Sequence, residues 1–263
     1  GGQVADHGVI LVGDSRFQVT DVQKDKGGRY LHSGKMVSGT VKVDDLVLAS
    51  IDVERRKAIM RAHSATHLLQ KALTSVLGDH VHQAGSLVEP DRVRFDFTHF
   101  EKISETQLKE VESLVNKFIS NKDDVTIELM SLEDAKKTNA TALFDEKYDE
   151  KVRVVKMGSA SSELCGGTHV ANTQQIGVFK IQSEESIGSG VRRITCKTGM
   201  LAYLDLLEKE NTLKTIASKL KMNSILNVEN KVQQVIDETL TGLKMTDVSI
   251  ERLDKNYDYV LEA

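Results

Sequence analysis

Two short stretches that lie far apart in the chain most constrain its fold: His63-Ser-Ala-Thr-His67 and Cys165-Gly-Gly-Thr-His169. Residues four apart lie on the same face of an α-helix, so His63 and His67 can present both imidazoles to one point. The second stretch carries a thiol and an imidazole at the same spacing, with two glycines between them that permit a tight turn. Zinc accepts imidazole nitrogen and thiolate sulfur together. The pattern therefore predicts a fold that brings both stretches to one zinc ion.

The residues alone leave the role of such a zinc open. A closed set of four protein ligands is typical of structural sites, whereas catalytic zinc keeps one position for water or substrate. Zinc would then order the loop, hold a substrate hydroxyl or activate water. Ser64 follows the first histidine where zinc metalloproteases carry a catalytic glutamate, which argues against peptide hydrolysis.

Several polar residues near these stretches are candidates for supporting roles. Glu163 and Asp96 can each orient a ligand histidine or simply lie at the surface. Gln83 precedes a Gly-Ser turn and can either read a small polar substrate or satisfy backbone groups. The remaining histidines show no comparable pairing; they are His7, His32, His80, His82 and His99.

Composition narrows the class of protein and its compartment. A net charge of −4 argues against a protein that coats nucleic acid, so no DNA partner is expected and any RNA-binding surface must be local. Arg192 and Arg193 form one of several basic groups, each of which is also compatible with a solvated face. No apolar run approaches the ~20 residues of a membrane span, and two cysteines form no disulfide framework. We expect a cytoplasmic protein without a membrane partner.

The hydrophobic pattern predicts an α+β protein in three parts. Residues 1–52 alternate β-branched runs with turn signals and read as a small antiparallel sheet or partial β-barrel; the runs are Val9–Val12, Phe17–Val19, Thr40–Val43 and Leu46–Leu48. Residues 53–199 read as a two-layer domain in which two helices cover a mostly antiparallel sheet. The first of these helices is predicted between a cap at Asp52 and a stop at Gly78. Residues 200–263 read as a helical hairpin or coiled-coil arm followed by a charged tail.

Four segments together resemble one family, the alanyl-tRNA synthetases, in their editing region. They are His63-Ser-Ala-Thr-His67-Leu-Leu, Gln83-Ala-Gly-Ser-Leu-Val, Arg94-Phe-Asp-Phe and Glu163-Leu-Cys-Gly-Gly-Thr-His169. That region is related to free-standing trans-editing proteins and to the editing domain of threonyl-tRNA synthetase. The resemblance runs from Gly1 to about Thr198, and the arm after Met200 looks like the helical segment that follows in the family. It implies that the chain is a fragment, since Gly1-Gly2-Gln3 matches the tail of a longer glycine motif.

The resemblance also implies an activity and its residues. The reaction would be hydrolysis of the ester in seryl- or glycyl-tRNA(Ala), with His63, His67, Cys165 and His169 as zinc ligands and Gln83 lining the pocket. Partners would be the acceptor end of tRNA(Ala) and the remainder of the synthetase chain, where ATP is bound. Aminoacylation is not expected from this chain alone. A catalytic Cys165 nucleophile, a free-standing trans-editing deacylase and a tRNA-binding module with structural zinc are the alternatives.

Overall fold

The computed structural model describes residues 2–137 and 151–241. The chain forms two compact units, residues 1–203 and 204–263, while the three-part division inferred from the sequence stays a prediction. None of the helices described combines the length and the apolar character that crossing a bilayer requires. The architecture is α+β with antiparallel sheets, as the sequence predicts.

The N-terminal strands form an open four-stranded antiparallel sheet. They are β1 (Gly8–Val12), β2 (Ser15–Lys24), β3 (Tyr30–Ser38) and β4 (Leu48–Ile51), in the order β3-β2-β1-β4. In the part of the chain that the structure describes, β3 and β4 lie at opposite edges, so the sheet does not close into a barrel. The predicted strand Thr40–Val43 is wrong, because Asp45 accepts a hydrogen bond from the Lys42 amide and holds a turn there. Strand β3 escaped prediction because all of its residues are exposed and show no apolar alternation.

Helix α1 (Val53–Leu77) begins and ends where the sequence predicts. Its N-cap Asp52 accepts a hydrogen bond from the Arg55 amide at 3.0 Å. At the other end Gly78 has φ of 111° and donates its amide to the Thr74 carbonyl, which stops the helix. The middle of α1 is buried on several sides, so the helix lies in the core.

A second four-stranded antiparallel sheet supports α1 and a second helix. Its strands are β5 (Gln83–Val88), β6 (Val93–Thr98), β10 (Phe179–Gly188) and β11 (Val191–Thr198), in the order β10-β11-β6-β5. Helix α2 (Glu105–Ser120) starts with a capping box between Ser104 and Gln107. Their shared core holds fully buried side chains of Ile59, Leu68, Leu69, Leu73, Phe95, Phe97 and Phe179. Burying each such side chain contributes about 1.5–3 kcal/mol.

A third, three-stranded sheet carries the cysteine stretch. Strands β7 (Val125–Ser131), β8 (Lys151–Met157) and β9 (Ser161–Leu164) lie in the order β7-β8-β9, and helix α3 (Leu132–Lys137) packs on β7 and β8. The sequence predicts one loop from Gly158 to Gly167, but residues 161–164 pair with β8. The strand was missed because its two buried residues, Ser161 and Glu163, are polar. Residues 53–199 thus contribute two sheets, where the sequence predicts one.

Two shorter segments complete the described chain. A 3-10 helix (Thr173–Ile176) ends at Gly177, whose φ is 73°, and β10 starts two residues later at Phe179. Helix α4 (Gly199–Lys219) follows β11, and another helix covers residues 228–241, where the described range ends. Both helices lie in the segment where the sequence predicts a helical arm. The tail Thr246–Ala263 lies outside the described residues.

Candidate metal centre

The fold brings both predicted ligand pairs to one place. The four ligand atoms of His63, His67, Cys165 and His169 all lie within 4.8 Å of one another. The Cys165 Sγ atom is 3.4 Å from His63 Nε2 and 3.3 Å from His169 Nε2. All three histidines are buried, and Cys165 is partly buried. Among the residues that the structure describes, this is the one group of three or more side chains placed to hold a metal ion.

Helix α1 supplies two of the ligands in the predicted way. His63 and His67 stack with their ring centroids 5.3 Å apart and their planes 16° from parallel. Both are at most 8% exposed, so the row of α1 that contains them and Ile59 points into the protein. The helical spacing therefore places both imidazoles on one face of α1, as the sequence predicts.

The end of β9 supplies the third ligand, and an arginine holds the loop that follows. The Cys165 amide donates to the Arg153 carbonyl at 3.0 Å. In return, Arg153 Nη1 donates to the carbonyls of Cys165 and Gly167 at 2.8 and 2.7 Å. The sequence places Arg153 only among basic candidates for nucleic-acid contact, whereas the structure uses it to shape the metal loop.

Each ligand histidine has a separate partner for its outer nitrogen. His67 Nδ1 lies 2.5 Å from Glu163 Oε2, and Ser161 Oγ donates to the other carboxylate oxygen at 2.7 Å. Of the two carboxylates that the sequence leaves open, Glu163 therefore orients a ligand histidine. Such outer partners fix the tautomer and orientation of a ligating imidazole.

The other two histidines are held by neutral groups. His63 Nδ1 is 2.8 Å from Gln3 Oε1, and His169 Nδ1 is 3.2 Å from Ser64 Oγ. The sequence does not connect Gln3 or Ser64 with these roles, because neither stands at a spacing that signals contact with its partner. Ser64, which takes the place of a protease glutamate, instead positions the fourth ligand.

The electrostatics suit a dication. Burial opposes ionisation of the Cys165 thiol, but its close contacts with the rings of His169 and His63, together with the attraction of His67, outweigh it and lower its pKa to about 2. Burial also lowers the pKa of His169 to about 4, which keeps that ring neutral. For His67 burial favours the neutral ring, yet the attraction of Glu163 and the Cys165 thiolate raises its pKa to about 10. A dication would replace the proton on His67 and balance these two anionic groups.

The donor set fits zinc. His67 Nε2 is buried without a hydrogen-bond partner, and it is aimed at the same space as the other three ligand atoms. An orphaned buried nitrogen is costly unless a ligand satisfies it. Zinc binds imidazole nitrogen and thiolate sulfur and usually takes four ligands in a tetrahedral arrangement, so three imidazoles and one thiolate suit it.

The remaining predicted site residues lie outside this cluster. Gln83 begins β5 opposite Phe97, next to a β-bulge, and donates to Ser86 Oγ at 3.0 Å. Asp96 does not contact a ligand histidine, because both of its carboxylate oxygens accept hydrogen bonds from Arg193 at 2.7 and 2.8 Å. Arg192 is buried and ion-paired with Glu184.

The structure also pairs two histidines that show no pairing in the sequence. His80 Nε2 lies 2.8 Å from His99 Nδ1, and their rings stack with centroids 5.1 Å apart. Their separation along the chain hides this contact, which depends on how residue 80 meets the end of β6. His80 is exposed and His99 is partly buried.

Comparison with known proteins places this geometry in a family. Residues 152–195, which include Cys165 and His169, match the threonyl and alanyl tRNA synthetase second additional domain. The alanine–tRNA ligase of Caldicellulosiruptor saccharolyticus is 48% identical over 244 residues, or 93% of this chain. Most of the chain matches a segment of alanine–tRNA ligases. This confirms the resemblance inferred from the four sequence segments.

Other alanine–tRNA ligases match to a similar extent. The protein of Hydrogenovibrio crunogenus is 51% identical over 90% of this chain, and that of Acetivibrio thermocellus is 48% identical over 96%. The chain spans 28%, 27% and 28% of the length of the Caldicellulosiruptor, Hydrogenovibrio and Acetivibrio proteins. It therefore corresponds to a segment of an alanine–tRNA ligase sequence.

Proposed function

We propose that the chain is a zinc-dependent editing region that hydrolyses the ester of mischarged tRNA(Ala), with seryl- and glycyl-tRNA(Ala) as substrates. The observation that carries the proposal is the buried group of three imidazoles and one thiol, contributed by α1 and by the domain that alanyl and threonyl tRNA synthetases share. The acceptor end of tRNA(Ala) and the remainder of a synthetase chain are the proposed partners. ATP binding and aminoacylation are assigned to that remainder, and the proposed compartment is the cytoplasm.

The need for such an activity follows from physical limits on selection. A pocket for alanine can exclude larger side chains but cannot strongly reject glycine, and it discriminates weakly against one added hydroxyl. A second site that hydrolyses the wrong esters removes both errors. The aminoacyl ester is already activated, so a positioned water and stabilisation of the developing oxyanion suffice.

Within this site the residues divide the work. His63, His67, Cys165 and His169 would hold zinc, which when bound supplies a Lewis acid for positioning a substrate hydroxyl or polarising an oxygen. Gln83 is proposed to read the polar amino-acid side chain with its amide. Cys165 as a covalent nucleophile remains the weaker alternative, because a thiolate that binds zinc is already engaged.

Deacylation of seryl-tRNA(Ala) by the zinc-loaded chain tests the proposal. We expect serine release well above the buffer rate, loss of that activity after zinc is removed, and a decrease of about 10-fold or more for Gln83→Ala, the size expected for one pocket contact. Gln23→Ala is the matched control, because Gln23 is exposed and its amide contacts only Asp21 among the described partners. Serine release at the buffer rate by folded, zinc-loaded chain would contradict the enzyme proposal.

That negative outcome would support the second candidate, a tRNA-binding module with structural zinc. The observation in its favour is that all four zinc positions can be filled by protein atoms. Zinc removal would then change the melting temperature of the chain without affecting a deacylation rate.

The tRNA surface is proposed to include Arg193. We expect Arg193→Ala to weaken tRNA(Ala) binding and to reduce the slope of log K against log salt by about one, because each lost phosphate contact releases fewer counterions. Binding titrations at two or more salt concentrations measure this, with exposed Arg29→Ala as the control. Both arginines already pair with carboxylates, Arg193 with Asp96 and Arg192 with Glu184. Unchanged tRNA binding in both Arg193→Ala and Arg192→Ala would place the tRNA surface elsewhere.

A further inference from the structure

The side chain of Gln3 joins three distant parts of the chain at a single oxygen atom. Gln3 Oε1 lies 2.8 Å from His63 Nδ1 on α1, 2.9 Å from the Thr168 amide nitrogen and 3.2 Å from Thr168 Oγ1. Thr168 stands between Cys165 and His169 in the metal loop. The N-terminal segment therefore contacts both halves of the metal centre.

Chemistry decides which atom of the Gln3 amide points there. A backbone N–H can only donate, so the Gln3 atom that faces the Thr168 amide must be the carbonyl oxygen. The same oxygen then accepts from His63 Nδ1, which must carry a proton. In the neutral ring His63 Nε2 consequently keeps its lone pair, and this nitrogen is the one that lies 3.4 Å from Cys165 Sγ.

The backbone around Gln3 is held firmly enough to aim its side chain. The Val88 amide donates to the Gly2 carbonyl at 2.7 Å, and the Val4 amide donates to the Val88 carbonyl at 3.1 Å. Residues 2–4 thus add a short parallel bridge to the end of β5. Gly2 permits this approach, because a Cβ there would lie 1.8 Å from the Ser86 carbonyl oxygen.

We propose that Gln3 is the positioning residue of His63: its carbonyl oxygen holds Nδ1–H so that Nε2 faces the metal, and it ties the N-terminal segment to the zinc loop. Gln3 does for His63 what Glu163 does for His67 and Ser64 for His169. The three partners come from the N-terminal segment, β9 and α1, so the orientation of the ligands depends on the assembly of all three. This inference rests on the proposed zinc site and is independent of the deacylation reaction.

Zinc affinity of the full chain tests the inference by competition with a chromophoric chelator. Gln3→Met keeps the length of the side chain but removes the acceptor, and it should weaken zinc binding by about 10- to 100-fold, the usual cost of losing an outer partner. Gln3→Glu keeps an acceptor for the same three donor atoms and should stay within about threefold of the unmodified chain. Gln23→Met makes the same chemical change on the exposed face of β2 and should have no effect.

A second readout reports on His63 itself. In the zinc-loaded chain, long-range proton–nitrogen spectra should show His63 protonated at Nδ1, and Gln3→Met should make that proton exchange faster while the His67 Nδ1 proton is unchanged. Unchanged zinc affinity and an unchanged His63 signal in Gln3→Met would overturn the role of Gln3. Equal losses in Gln3→Glu and Gln3→Met would also overturn it, because the acceptor would then not matter. If the unmodified chain did not bind zinc, the metal site would fail and this inference with it.

Discussion

Replacing Cys165 with alanine is expected to lower the zinc affinity of the chain by more than about 100-fold, because it removes a ligand rather than one of the outer partners whose loss costs about 10- to 100-fold. Cys165 is the only thiol in the cluster, and its Sγ contacts two of the three ligand histidines directly. Its loss leaves an open coordination position and removes the negative charge that balances the dication. Zinc content after dialysis and chelator competition measure the effect.

The other cysteine provides the control. Cys196 is fully buried in the apolar core, with 0% of its surface accessible, and burial raises the pKa of its thiol. Cys196→Ala should therefore cost about 1 kcal/mol of stability, a usual value for a small core change, and should leave zinc binding intact. Zinc retained by Cys165→Ala at the affinity of Cys196→Ala would show that Cys165 is not a ligand.

Adding one methyl group at Gly167 is expected to disrupt the centre as severely as the loss of a histidine partner. A Cβ at this position would lie 2.0 Å from His63 Cε1, 2.3 Å from His63 Nδ1 and 2.9 Å from Gln3 Oε1. These atoms are held by the contact between Gln3 and His63, so they cannot move away without breaking it. Overpacking of this kind costs about 1–3 kcal/mol, and we expect zinc affinity to decrease by about 10-fold or more through the misplaced ligand.

The neighbouring glycine, Gly166, provides the control for this prediction. A Cβ at Gly166 would meet nothing within 4 Å. Gly166→Ala should therefore bind zinc like the unmodified chain. Its free energy of unfolding should differ from that of the unmodified chain by less than about 0.5 kcal/mol, as for most surface substitutions. Parallel zinc titrations and thermal melts compare the two variants, and equal behaviour of Gly166→Ala and Gly167→Ala would contradict the close contact between the loop and His63.

The grouping of the four candidate ligands was predictable because their signals are local. The spacing of His63 and His67 needs only a helix, and Asp52 and Gly78 mark the ends of that helix in the sequence. The Cys165 stretch repeats the same spacing with a different kind of ligand. A pair of short motifs that each offer two zinc ligands implies their meeting point without any knowledge of the fold between them.

Strand β9 and the N-terminal sheet show where local patterns fail. Ser161 and Glu163 are buried because they serve the metal centre, so their strand lacks the apolar alternation by which strands are recognised. Strand β3 is missed for the opposite reason: all of its residues are exposed, so its sequence shows no alternation of apolar and polar residues. Arg153 resembled a basic surface residue, but carbonyl groups of the metal loop surround its guanidinium.

The sequence by itself determined the four candidate zinc ligands and the resemblance to alanine–tRNA ligases, because both are read from short segments, and its hydrophobic pattern indicated the α+β class. Only the tertiary structure decided how those ligands are oriented. Gln3, Ser64 and Glu163 each hold one histidine ring, and for Gln3 and Glu163 the contact joins residues 60 and 96 positions apart. A hydrogen bond across such a separation leaves no periodic trace in a sequence, because it depends on the packing of every element in between.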